Sequence, residues 1–152
     1  MSLQTDLSTA MRDAMKAGDA KRVGTLRMAM AAAHNRQIEL GHELTDPEMI
    51  EVLDRQVKQR RESIELFRGG GRPELAEVEE AEIAILREFL PEPLSGEELE
   101  RLARDAVAAT GASGLADMGK VMGMLVPKTK GRADGKEVSD LVRRLLSEAP
   151  AG

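Results

Sequence analysis

Apolar residues recur every three to four positions along almost the whole of this chain, and nowhere do they alternate at period two among β-branched residues. A repeat of about 3.6 residues lays one apolar stripe along a helix, whereas a half-buried strand needs a repeat of about two. The pattern therefore predicts an all-α fold. Glycine, proline and capping side chains set where each helix begins and ends. A first helix is predicted from Leu3 to Lys16, with Leu3, Leu7, Ala10, Met11, Ala14 and Met15 on one face. Asp19 caps a second, whose Val23, Leu26, Met30, Ala33 and Leu40 turn inward until Gly41 ends it. The third takes Asp46 as N-cap and Pro47 as its first helical residue, where the missing N–H costs nothing. It runs through Ile50, Leu53, Val57, Ile64 and Phe67 to the break at "RGGGR", and a fourth follows from about Pro73 to Leu90.

The glycine break is short, so the third and fourth helices should fold back as a long antiparallel hairpin. Counting outward from Gly70 sets Lys58 opposite Glu82, Arg60 opposite Glu80, and Arg61 opposite Glu79. Exposed cross-helix ion pairs, each worth about 0–1 kcal/mol, then explain the basic run "RQVKQRR" without a ligand. In "LPEPLSGEE" two prolines forbid continuation and Ser95 with Glu98 forms a capping box, so a domain boundary belongs here, dividing residues 1–91 from 92–152. Beyond it lie three shorter helices. The first, Gly96 to Thr110, buries Leu99, Leu102, Ala103, Ala106 and Val107; the second, Met118 to Val126, is capped by Asp117 and stopped by Pro127. The third starts at Asp134, with Glu137 in capping-box position, and buries Val138, Leu141, Val142 and Leu145. The predicted architecture is an N-terminal helical domain followed by a small three-helix tail domain.

Composition narrows the chemistry. With 152 residues and no cysteine, the chain has no disulfide, thiolate nucleophile or cysteine zinc site. No apolar run approaches the roughly 18 residues of a membrane span, and "MSLQTDLSTAMRDAMK" lacks the apolar core of a secretory signal, so no membrane association and a cytoplasmic location are expected. His34 and His42 are the only histidines and do not form an HExxH pair, which leaves solvated or capping roles. "GRADGKE" is not a phosphate loop, since three residues separate its glycines where four are needed, Glu137 stands where a hydroxyl is required, and no strand precedes it. No catalytic constellation and no cofactor are expected.

A basic segment remains. Between Asp117 and Asp134 the chain carries Lys120, Lys128, Lys130 and Arg132 without one acid, although its formal net charge is -5. Gly119 and Gly123 are four apart on one side of a helix, each at a cost of about 1 kcal/mol relative to alanine. Either a neighbouring helix packs closely there, or a ligand backbone approaches a smooth surface. The turn through Gly131 leads to a helix N-terminus carrying Lys136, whose N–H groups also favour anions. The candidate contact set is Gly119, Lys120, Gly123, Lys128, Lys130, Gly131, Arg132 and Lys136, and a phosphate backbone suits it; the competing reading is a solvated loop. Trp and Tyr are absent, so backbone and shape contacts to folded RNA are expected over stacking on splayed bases, with no preference for DNA. Arg22, Arg27 and Arg36, with no acid between Asp19 and Glu39, either extend such a surface or pair with the acidic fourth helix.

"MGKVMGMLVPKTKGRADGKEVSDLVRRLL", residues 118–146, resembles the C-terminal tail motif shared by the B subunit of tRNA-dependent amidotransferases (GatB) and the small YqeY proteins. The stretch "RQVKQRRESIELFRGGGRPELAEVEEAEIAILREFLPEPLSGEEL" resembles the YqeY N-terminal domain. The resemblance implies a tail that contacts tRNA, with ammonia transfer and ATP-dependent activation belonging to other parts of the amidotransferase. It implies no independent catalysis; a carbon-nitrogen ligase activity with glutamine as donor attaches only through the catalytic relative. The expected partners are tRNA and a tRNA-charging or amidotransferase complex. A protein-docking scaffold is the alternative, supported by overall acidity, which repels nucleic acid at long range.

Overall fold

The computed structural model describes residues 2–148 and is all-α, with no strand among them. Residue 1 and residues 149–152, assigned above to the first and second domains, lie outside the described residues. Four helices precede Pro91: α1 (Leu3–Ala17), α2 (Ala20–Leu40), α3 (Asp46–Gly69) and α4 (Pro73–Arg87). Three follow it: α5 (Gly96–Thr110), α6 (Met118–Thr129) and α7 (Gly135–Glu148), with a 3-10 turn over Leu115–Asp117. The chain divides between Pro91 and Glu92 into two compact units. Each closes its own core. Leu7, Leu26, Met49, Leu53, Val57 and Leu86 centre the first, and Leu99, Ala103, Val121, Leu125, Val138 and Val142 the second.

Capping chemistry explains the boundaries. Ser2 accepts the Thr5 N–H to open α1, Asp19 accepts that of Arg22 to open α2, and Gly18 and Gly41 end these helices in the left-handed conformation. The start of α3 differs from expectation. Thr45, not Asp46, is the N-cap, because its hydroxyl and the Glu48 side chain three residues on complete a reciprocal capping box. Asp46 is thereby freed to accept the Leu3 N–H at 2.9 Å, tying the start of α1 to α3.

The hairpin of α3 and α4 turns at Gly71, whose φ of 73° needs glycine, and is closed by the Arg72 N–H donating to the Phe67 carbonyl at 2.7 Å. Its cross-helix pairing corrects the linear count. Arg60 does not meet Glu80; its Nε donates to Glu82 at 2.8 Å and lies 3.9 Å from Glu79, while Glu80 pairs with Arg68. Counting from the turn ignores helical rotation: Glu79 and Glu82, three apart, share the face of α4 that meets α3. Arg60 is not on the surface either, at 5% exposure. Its Nη1 donates to the Gln56 carbonyl and Oε1, both at 3.1 Å, and its Nη2 lies 3.8 Å from the Met28 sulfur of α2. One guanidinium thus joins three helices.

The tail departs from expectation at α6, which runs past Pro127 to Thr129. Proline removes one N–H, the partner of the Gly123 carbonyl, but the Lys130 N–H still reaches the Val126 carbonyl at 3.0 Å, and Thr129 is buried. Asp117 does not cap α6 through its side chain; it accepts the Ser113 N–H at 3.0 Å and closes the preceding turn. Across the unit, Glu100 of α5 accepts from Arg144 of α7 at 3.2 Å.

The Arg60 cluster gives a graded prediction. Glu82→Gln strips the guanidinium of its close carboxylate and should lower unfolding free energy by about 2–3 kcal/mol in urea titration, in line with breaking a buried pair. Glu79→Gln should cost much less. Burial, then Glu82, pushes the Glu79 carboxyl up against the pull of Arg60. The folded chain therefore binds this proton more tightly than the unfolded one, and stability falls as pH rises through the interval just above the ordinary glutamate range. Glu79→Gln should remove that fall.

Candidate nucleic-acid interface

The basic segment divides into two groups of residues with different duties. On α6, Gly119 and Gly123 are exposed, and a Cβ added at either would meet nothing within 4 Å. No helix of the described chain packs on them, so the close-packing explanation does not apply within the chain. With Pro127 a further four residues on, they make a smooth strip along the outer face of α6. Lys120 stands beside it with its side chain 72% exposed, its Nζ 3.8 Å from Asp117. Lys128 and Lys130 are exposed at the far end of the helix, about 12–15 Å along the axis from Lys120 at about 1.5 Å per residue. Lys136 is exposed in the first turn of α7, and its N–H donates to the Asp134 carboxylate at 3.5 Å.

Gly131 and Arg132 build the turn. Gly131 is buried with φ of 75°, a conformation that favours glycine. The Arg132 N–H donates to the Thr129 carbonyl at 2.8 Å, its carbonyl accepts the Leu94 N–H at 2.9 Å, and its Nε donates to the Glu92 carbonyl at 2.9 Å. The guanidinium therefore fastens residues 92–94 to the turn between α6 and α7. Four lysines remain on the outer surface, joined by an apolar fringe that the helical stripes did not predict: Leu115, Met124 and Val126 are all exposed. The signal was present, since positions 124 and 126 fall outside the i, i+3, i+4, i+7 stripe of Met118, Val121, Met122 and Leu125.

The arginines of α2 resolve in part. Arg22 makes a two-point pair with Glu88 of α4, at 2.7 and 3.2 Å, and lies 6.0 Å from the Phe89 ring centre; the carboxylate raises its already high pKa. Arg36 pairs with Glu39 on its own helix at 2.9 Å. His42 sits at the α2–α3 turn, with Nδ1 2.7 Å from the Glu43 carbonyl and Nε2 3.4 Å from Glu48.

Comparison with known proteins decides the family. The family described as "Yqey-like protein" matches residues 4–146. The chain is a YqeY-like protein. It is similar to "Altered inheritance of mitochondria protein 41, mitochondrial" of Pyrenophora tritici-repentis, 31% identical over 147 residues, covering 95% of this chain and 78% of that protein. The protein of the same name from Lachancea thermotolerans is 31% identical over 86 residues, 56% of this chain and 46% of its own. A glutamyl-tRNA(Gln) amidotransferase component of Thermococcus gammatolerans is 46% identical over 59 residues, 36% of this chain and only 9% of that protein. This match supports the relation to the amidotransferase tail.

The expected cytoplasmic location is overturned by these relatives, two of which are named as mitochondrial proteins. The inference failed because a search for an apolar core detects secretory signals alone, and segments that direct proteins to mitochondria have a different, amphipathic chemistry.

The open space over the two α6 glycines has a direct consequence. Gly119→Ala and Gly123→Ala should each stabilise the tail by about 0.5–1 kcal/mol, read from denaturant midpoints, because helix propensity rises with no clash. Gly131→Ala should act in the opposite sense by about 1 kcal/mol, since its backbone is left-handed.

Proposed function

We propose that this YqeY-like protein is a non-catalytic accessory of tRNA metabolism whose tail contacts folded tRNA through Lys120, Lys128, Lys130 and Lys136. The observation that carries the reading is the distribution of these lysines around a side-chain-free strip of α6, with Lys120 72% exposed and the two glycines open to solvent. A smooth strip edged by ammonium groups admits a sugar-phosphate backbone closely, and the lysines supply charge without base specificity. Two further supports come from the amidotransferase relative, whose name specifies a tRNA substrate, and from the lack of Trp and Tyr, which favours contacts to A-form shape. Arg132 and Gly131 enter as builders of the turn that presents Lys128 and Lys130.

Binding of labelled tRNA to the purified chain tests this. Four phosphate contacts should give a log–log salt slope of about -3 to -3.5. Lys120→Glu, Lys128→Glu and Lys130→Glu combined should weaken binding by at least about tenfold and flatten the slope by about two to three. Arg132 is left intact in this variant, because its loss would release residues 92–94 from the turn. A folded wild-type chain that does not bind tRNA, or binds it independently of salt, sinks the proposal.

The exposed Leu115, Met124 and Val126 favour a second reading, in which the same face docks on a protein such as a component of an amidotransferase. Met124→Ser with Val126→Ser separates the two. Loss of a co-purified protein with tRNA binding retained supports docking, and loss of neither counts against it.

A further inference from the structure

A groove of about 410 Å³ runs between α2 and α4 in the first unit, far from the tail in sequence and independent of the function proposed for it. Its walls are apolar: Met28 is 58% exposed and Val78 47%, and Ile85 and Ala81 continue the α4 side. Gly24 lies on the α2 side, inside a helix where glycine costs stability, and a Cβ there would meet nothing within 4 Å. No packing contact calls for this glycine; its effect is to leave the groove open. From Ala20 to Met28 the groove is about 12 Å long at about 1.5 Å per residue. Ion pairs bridge the helices near both ends, Arg22–Glu88 at one and Arg60–Glu82, beside Met28, at the other. That closure favours a small guest over a partner helix.

Charge then selects the guest. Two ionisable side chains line the groove, and Glu82 is already neutralised by Arg60 at 2.8 Å. Lys21, at the Arg22 end, has no carboxylate partner among the described residues, and the buried Thr25 hydroxyl is satisfied by the Lys21 carbonyl at 3.0 Å. We infer that the α2–α4 groove binds a medium-chain aliphatic carboxylate, its chain laid between Met28, Val78 and Ile85 and its head group on the Lys21 ammonium. The volume lies within the range of small-molecule sites, about 300–1,000 Å³, and an apolar wall with one convergent charge is their usual composition.

The test follows the Met28 methyl resonance of the full chain, labelled at methionine methyls, during titration with octanoate and with octanol. A saturable shift with octanoate, binding about tenfold weaker for octanol and for Lys21→Gln, and loss of the shift in Gly24→Leu are expected. Gly24→Leu fills the groove without a clash and raises helix propensity, so its circular dichroism should match the parent. A Met28 methyl unmoved by octanoate, or a shift that survives Gly24→Leu, overturns the site. Octanol binding as tightly as octanoate overturns the assignment of a carboxylate. A methyl that shifts with protein concentration alone overturns both, because a second copy then covers the groove.

Discussion

The first unit depends on one buried cation. Arg60 lies where α2, α3 and α4 meet, and its planar guanidinium distributes donors to Glu82, to Gln56 and toward the Met28 sulfur. An ammonium could not do this, because the geometry needs donors fixed in a plane and spread over several ångströms. Desolvating a guanidinium is costly, so the pair is poor evidence for net stability and better evidence for register. Sliding α3 along α4 by one turn would part Arg60 from Glu82 and leave a charge stranded in the core. Apolar contacts alone tolerate such slips, since one leucine replaces another with little loss. The cluster therefore fixes which turn of α3 faces which turn of α4, and the capping box at Thr45 and the glycine turn at Gly71 set the ends accordingly.

In the tail the constraint is one of economy in side chains. α6 carries two glycines and a proline in twelve residues, a composition that gives an isolated helix little stability. Val121, Leu125 and Thr129 bury one face against α5 and α7, and tertiary packing rather than propensity holds the helix. The outer face is released from packing duty. The turn after it is held by Gly131 and by the three backbone and side-chain bonds of Arg132, so Lys128 and Lys130 project from a fixed base.

Much of the fold was legible because capping and periodicity are local. The stripe of Leu3, Leu7, Ala10 and Ala14, the caps at Asp19 and Ser95, and the stop at Gly111 need only a few neighbouring residues to read. Three features were not legible. The burial of Arg60 depends on α2 arriving over the hairpin, which no spacing in α3 reveals. The passage of α6 through Pro127 depends on Thr129 being needed in the core, a tertiary preference that overrides a local stop signal. In the candidate interface, all eight residues carried a plausible charge or backbone argument, yet sequence could not separate those that present the surface from those that build it. Arg132 and Lys130 look equivalent in a basic run; only the position of the Glu92 and Leu94 backbone distinguishes them.

The two cores share no residue, and this bears on how the chain behaves as a heritable object. Leu99, Val121, Leu125 and Val142 close a core with no help from residues 1–91, so the information that folds the tail travels with the tail. Such a segment can be fused to an unrelated chain, or lost from one, without rewriting the interior of either. Cooperativity is local for the same reason. A lesion at Arg60 would melt one unit and spare the other, so loss of one duty need not entail loss of the second, and selection can act on the two separately.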